Sequence, residues 1–348
     1  MCKVGKLSFG YIVHGADALS AVECGVLAEK SGFDVLWVTD HFVDVWPDGD
    51  RLEPWTTLSA VAALTSRIRL GSAVTDTQRS HPARTAQAAA CLDVLSRGRA
   101  ILGIGAGEAM NIVPYGLPWD SPKERIARLE EAIQVIRALW TSSRERPASY
   151  SGQFYRLDKA VLDQLPKQTL PIYVGAFASE RALSVVGRFG DGWYPWLNTP
   201  ETFRKRWSVV KEAAQSVGRS VKRIEPVAQV LVAFPRSAKE ERDALTRAKA
   251  TLVAEKTLLR SLGYTPNTDQ YQNLVHPFRD DVSKIMKAIR EVPDEIVYKT
   301  MAIGGLSEVN DRINELVSAG ARQIAIFDLM GLKTAKRTFS LLRKIITE

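Results

Sequence analysis

Eight short, almost wholly apolar runs recur along this chain, and nearly all are followed by a segment of helical periodicity. They are Leu7–Val13, Asp34–Val38, Ile68–Val74, Ala100–Ile104, Pro171–Val174, Gly192–Pro195, Glu225–Ala233 and Gln323–Phe327. A strand with one face in water alternates apolar and polar residues; a strand without alternation is covered on both faces, as in a parallel sheet flanked by helices. The intervening patterns predict helices over Ala16–Lys30, Pro54–Leu64, Pro82–Leu95, Ser121–Trp140, Ser179–Phe189, Pro200–Ser216, Ser307–Ala319 and Lys333–Thr347. The long fourth helix carries its own start signal, with Ser121 as N-cap, Pro122 at the first position and Glu124 three residues on. This alternation predicts an α/β chain closed into a (β/α)8 TIM barrel, with an open doubly wound sheet as the competing arrangement. The whole chain, 1–348, reads as a single barrel domain, with a hairpin-like interruption at 149–162 and a polar, helix-rich insertion at about 237–300 before the last strand.

Composition narrows the function classes. With 45% hydrophobic and 25% charged residues the chain is globular, and no apolar run approaches the ~18 residues of a membrane span. The segment before the first strand is too brief for a signal peptide. Three cysteines (Cys2, Cys24, Cys91) without CxxC spacing argue against disulfides or a zinc site and for a reducing, cytoplasmic setting. Four histidines (His14, His41, His81, His276) lie far apart without HxxxH or HExxH spacing, so no metal site is expected. The net charge of +8 comes from scattered basic residues. Without an aromatic-interleaved stripe they do not describe a nucleic-acid surface, although they suit an anionic ligand.

In a barrel, ligand-contacting groups sit where strands end and βα loops begin. The second run ends in "WVTDHF", which places Asp40 and His41 at that position, either for ligand contact or as a helix cap or structural hydrogen bond. The third ends in "GSAVTDT" and the fifth in "GAFASE", small residues that let a flat ligand approach the backbone; the helix opened by the latter suits a phosphate. The fourth ends in "GIGAGEAMN", where glycines precede Glu108 and Asn111. That motif is GxGxG, not GxGxxG, and lies far from the first βαβ unit, so it is not a dinucleotide fingerprint. His14 closes the first run and also points to the mouth. His81 before Pro82 reads as a turn residue at a helix start, Arg79 and Arg84 as solvated surface residues with an anionic tail within reach as the alternative, and Trp193 and Trp196 as core and rim packing.

The segments "VLWVTDHF", "RLGSAVTD…HPARTAQAAACLDVLSRGRAILGIGAGEAMN" and "LPIYVGAFASERALSVVGRFGDGW" resemble the bacterial luciferase-like barrel superfamily. Within it they resemble the branch that uses the deazaflavin coenzyme F420, which includes reductases of methylenetetrahydromethanopterin, alcohol and sugar-phosphate dehydrogenases and a mycobacterial ketoreductase. The resemblance implies an F420-dependent oxidoreductase that passes a hydride between the deazaflavin and a small organic substrate, of the methylenetetrahydromethanopterin type or a ketone/secondary alcohol. It implies catalytic roles for His41 and Glu108. Cofactor contacts fall to Asp40, to Ala73, Val74 and Thr75 with a cis peptide between Ala73 and Val74, to Gly107 and Asn111, and to Gly175, Ala176, Phe177 and Ala178 around the polar tail. A tryptophan follows the Asp-His pair in the alcohol- and sugar-oxidising relatives; here Trp46 comes one residue later, a candidate for the substrate side or for packing elsewhere. Residues that hold a sugar phosphate find no counterpart, which speaks against that substrate.

The physical logic agrees, because a deazaflavin moves only hydride and the protein must move the matching proton. A histidine and a buried carboxyl beside the ring supply that function. Rival readings are an FMN-dependent monooxygenase on the same barrel and a non-enzymatic deazaflavin-binding carrier. A homodimer is expected from the resemblance, with the small-residue face Ala86, Ala88, Ala89, Ala90 as its contact.

Overall fold

A computed structural model describes residues 7–44, 50–253, 255–265 and 282–347. Eight parallel strands close on themselves: β1 (Ser8–Val13), β2 (Val35–Val38), β3 (Arg69–Ser72), β4 (Ala100–Gly105), β5 (Ile172–Gly175), β6 (Gly192–Trp193), β7 (Glu225–Ala233) and β8 (Gln323–Asp328). The order runs β7-β8-β1-β2-β3-β4-β5-β6, and the pairing Glu225↔Gly192 joins β7 back to β6. The closed barrel, not the open sheet, is therefore the fold. Helices α1 (Ala18–Lys30), α2 (Pro54–Leu64), α3 (Pro82–Leu95), α4 (Pro122–Trp140), α5 (Glu180–Phe189) and α6 (Pro200–Ser216) follow the first six strands. Ser121 and Glu124 form the expected capping box at α4, and His81 caps α3 by accepting from Ala83 N through Nδ1.

The unbroken apolar runs have their explanation in β2, all of which is buried. Val35 and Trp37 point into the barrel, where they pack with Ile12, Ile101, Tyr173, Tyr194, Val227 and Ala325. Leu36 and Val38 point outward into the layer between strands and helices. Two hydrophobic cores thus claim alternate residues of one strand, and each fully buried aliphatic side chain contributes about 1.5–3 kcal/mol. Trp37 donates from Nε1 to Gln323 Oε1 at 3.1 Å, which ties β2 to β8 across the interior.

The third strand stops earlier than its sequence suggests. β3 ends at Ser72, the Ala73–Val74 peptide is cis, and Thr75–Asp76 then pairs with Ile104–Gly105 of β4. The hairpin is present as Ala148–Ser151 paired antiparallel with Arg156–Ala160.

After β7 the chain adds α7 (Ala238–Val253), α8 (Lys256–Ser261), α9 (Val282–Glu291) and α10 (Asp294–Thr300). These helices share a core of their own, including Ala248, Leu252, Leu259, Ile289 and Val297. That core extends onto Leu231 and Ala233 of β7 and onto Leu329, just past β8, so the insertion rests against the C-terminal rim of the barrel. A short strand, Ala302–Ile303, pairs with Val232 and Ala233 before α11 (Leu306–Ser318), and α12 (Ala335–Thr347) follows β8.

The small-residue face of α3 is not free for a second copy. Ala86, Ala89 and Ala90 are fully buried within the chain, and Ala86 O accepts from Trp140 Nε1 of α4 at 2.9 Å. Small side chains here let α3 and α4 approach closely, so of the four alanines only Ala88, which is half-buried, is left for an outside contact.

Candidate active site

The C-terminal ends of the strands surround a cavity of about 520 Å³. Its wall includes nearly every residue singled out at the strand ends: Asp40 and His41 after β2, Ala73, Val74 and Thr75 after β3, Gly107, Glu108 and Asn111 after β4, and Gly175, Ala176 and Phe177 after β5. Ala178 is not on the wall, although its neighbour Ser179 is. Trp46 lies outside the described residues. His14 and Trp196 also line the cavity, whereas Trp193 is wholly buried and donates to Ala176 O at 2.8 Å.

Two of the glycines also have a packing task within the chain. A Cβ placed on Gly105 would lie 2.9 Å from Val74 Cγ2, and one on Gly175 would lie 2.8 Å from the same atom. They make room for the Val74 side chain, which lies against the ends of β4 and β5. Gly107 is different again: it has φ +84°, a conformation that favours glycine, and sets the turn that carries Glu108.

Two polar assemblies occupy the wall. In the first, the Arg79 guanidinium lies between two buried acids. Its Nη2 is 3.1 Å from Asp40 Oδ2 and donates to Asp40 O at 2.8 Å, while its Nε bonds Asp76 Oδ2. Burial works against the Arg79 charge but is outweighed by Asp40 and Asp76, so its pKa stands above the usual value. Burial raises Asp40 above the ordinary carboxylate range, and Arg79 pulls against that rise. The expectation that Arg79 is a solvated surface residue is thus wrong: it is 10% exposed. Arg84 is exposed and bonds Gln87 Oε1.

The second assembly centres on His41. Its Nε2 is 3.5 Å from Glu108 Oε2 and its Nδ1 4.0 Å from Asp44 Oδ2, so the imidazole lies between two carboxylates. Asn111 positions it. Asn111 Oδ1 accepts from Phe42 N at 2.7 Å and Val43 N at 3.0 Å, and its Nδ2 donates to Glu108 Oε2 at 3.3 Å. The Asn111 amide therefore ties the loop after β2 to the loop after β4.

Glu108, whose side chain is 53% exposed, is not the buried carboxyl that the sequence reading called for. A second carboxyl on the cavity wall comes from Glu255, at the start of α8 in the insertion, a residue no motif singled out. Burial, reinforced by the charge of Glu108 and opposed by Arg206, pushes its pKa up to about 7. On the opposite side, His14 donates from Nε2 to Asp328 O at 2.9 Å and stacks on Phe327 at 3.7 Å between centroids. Burial lowers its pKa to about 4 against the effect of that bond, so it is neutral at physiological pH. Tyr194 lines the cavity floor, and its buried hydroxyl meets no partner among the described residues.

A closed β/α barrel with proton-handling side chains around a cavity at its strand ends defines an enzyme-type ligand site. The chain belongs to the luciferase-like monooxygenase family, whose model it matches over residues 8–323. It is 32% identical to the phthiodiolone/phenolphthiodiolone dimycocerosates ketoreductase of Mycobacterium tuberculosis, with 93% of each chain covered. It is 36% identical to the F420-dependent glucose-6-phosphate dehydrogenase of Nakamurella multipartita, over 61% of this chain and 62% of that one. The fold matches that of an F420-dependent secondary alcohol dehydrogenase in complex with an F420-acetone adduct, with a TM-score of 0.83, 98% of both chains covered and 23% identity.

Proposed function

We propose that this protein is an F420-dependent oxidoreductase that reduces a ketone, or oxidises the corresponding secondary alcohol, at the mouth of its barrel. The observation that carries this reading is His41 held between Glu108 and Asp44 on the wall of the cavity. A bound deazaflavin supplies or accepts the hydride; the chain's task is to hold it and to move one proton. The residues present suit a flat ring system. Ala73 and Val74 form an apolar backing, the backbone of Gly105–Gly107 and Gly175–Ala176 is bare of large side chains, and the orphan hydroxyl of Tyr194 is available to a polar ring edge. Asp40, fixed by Arg79, is the polar group beside that backing, and the Gly175–Phe177 turn is placed for a charged tail.

In the reducing direction His41 gives a proton to the forming alkoxide, and Glu108 returns one to the imidazole from solvent, which its exposure permits. Asp44 and Asn111 keep the ring and the carboxylate in register. Oxidation of an alcohol reverses these transfers.

The test is to load purified protein separately with F420 and with FMN and read absorbance after gel filtration. Retention of F420 alone, weakened in Asp40→Ala, is the expected result. Retention of FMN alone would instead favour a monooxygenase, in keeping with the family's description, and would overturn the proposal.

A further inference from the structure

We propose that Glu255 is the substrate-side hydrogen-bonding group of the cavity, and that it restricts the site to uncharged carbonyl and hydroxyl compounds and rejects anionic ones. The proposal rests on the reading of the site as an oxidoreductase cavity, and names the substrate class that cavity takes.

Four observations support it. First, Glu255 lines the same cavity as Asp40, His41 and Glu108, but from the insertion and not from a strand end. Second, its carboxyl has no structural task. It stands at the N-cap of α8 without making a side-chain cap bond, and no hydrogen bond or ion pair joins it to a described residue. Third, among the described residues the charged groups that act on it are Glu108, from the loop after β4, and Arg206, from α6. Arg206 is committed elsewhere: its Nη1 bonds Asn198 Oδ1 at 2.5 Å, and its guanidinium lies 4.3 Å over the Phe177 ring. Fourth, the cavity lining includes apolar or small described residues from the insertion and from beside it, Ala250, Thr251, Phe177 and Trp196.

A buried carboxyl without a partner is costly when ionised, and an anionic neighbour increases the cost. Its pKa near 7 follows from that. Below about pH 7 the group is therefore mostly the acid, with one O–H to donate to a carbonyl or hydroxyl oxygen. An anionic substrate would enter beside Glu108, and the described cation that acts on Glu255, Arg206, is already engaged by Asn198 and Phe177. As pH rises through about 7, Glu255 ionises and loses the donor. Redox balance is unaffected: the hydride comes from the reduced deazaflavin, and the proton from the His41–Glu108 pair.

The experiment compares two probes of nearly equal shape, butane-2,3-dione (uncharged) and pyruvate (anionic). Binding to the full chain is followed by calorimetry and by tryptophan fluorescence, because Trp196 lines the cavity. It is measured with and without F420, from pH 6 to 8.5. Wild type is expected to prefer the dione by about tenfold or more, the scale of one lost hydrogen bond to a charged group, and to lose affinity for it as pH rises. Glu255→Gln keeps a donor but cannot ionise. It should bind the dione with no pH dependence, narrow the preference over pyruvate, and leave the F420 dissociation constant within about twofold. Glu255→Asp should restore the pH dependence. A Gln variant with the wild-type probe preference and pH profile overturns the proposal. Failure of F420 to bind either chain overturns the oxidoreductase reading alone, since probe binding without cofactor still decides the role of Glu255.

Discussion

The two walls of the cavity are built on opposite rules. On the strand-end wall the charged groups are paired: Arg79 joins Asp40 to Asp76, and Asn111 joins the His41 loop to Glu108. On the insertion wall Glu255 has no bonded partner among the described residues. Pairing holds side chains in one geometry, as a cofactor with a fixed shape requires. An unpaired buried acid leaves its hydrogen-bonding capacity to whatever enters. The paired wall is thus suited to the constant partner of the reaction and the unpaired wall to the variable one.

Substitutions can break this contrast, and the largest effect is expected at Glu108. Glu108→Gln preserves the bond from Asn111 but cannot titrate, so turnover should fall by about 10²–10⁴-fold with F420 retention nearly unchanged. Turnover within about threefold of wild type would make Glu108 structural only and pass the proton to His41 or a water. Next comes Arg79→Met, which strands Asp40 and Asp76 as buried acids. Breaking such an arrangement costs about 3–5 kcal/mol, readable in urea unfolding, and a loss under about 1 kcal/mol would show that pairing does not hold this wall. Asn111→Ala removes the acceptor for Phe42 N and Val43 N, and should cost about 1–3 kcal/mol. It should also lower turnover without changing the preference between uncharged and anionic probes, because the insertion wall is untouched.

The smallest effect distinguishes two buried groups by the sign of their linkage. His14 is lowered from 6.5 to about 4, so its contribution to stability is present above pH 6.5 and lost as pH falls through about 4. Glu255 is raised from 4.5 to about 7, so its contribution is present below pH 4.5 and lost as pH rises through about 7. Between pH 4.5 and 6.5 the two slopes oppose each other. Relative to wild type, Glu255→Gln stability should climb more steeply with pH in that window, and His14→Phe stability should climb less or fall. Urea midpoints at three pH values suffice; parallel curves for all three chains would place both groups in wetter surroundings than the structure shows.

Much of the strand-end wall was legible in the sequence because it depends on position along a strand. "WVTDHF" puts Asp40 and His41 just beyond a buried run, and "GIGAGEAMN" does the same for Glu108 and Asn111. Arg79 was misread because "TQRSHP" has the composition of a surface turn, and only the pairing of β3 with β2 brings that turn against the end of β2. The small residues ending β5 were legible as a close approach, and the structure adds Val74 as a side chain that lies against Gly175. The alanines of α3 showed a close contact without saying with what, and the answer is α4 of the same chain.

The sequence by itself determined the class of fold and the location of the site, because doubly covered strands need apolar residues at every position and a barrel gathers its strand ends at one mouth. The tertiary structure alone decided which of the charged side chains are paired. Burial and pairing depend on residues distant in the chain, and Glu255 gains its character only when the insertion brings it to the cavity that Glu108 also lines.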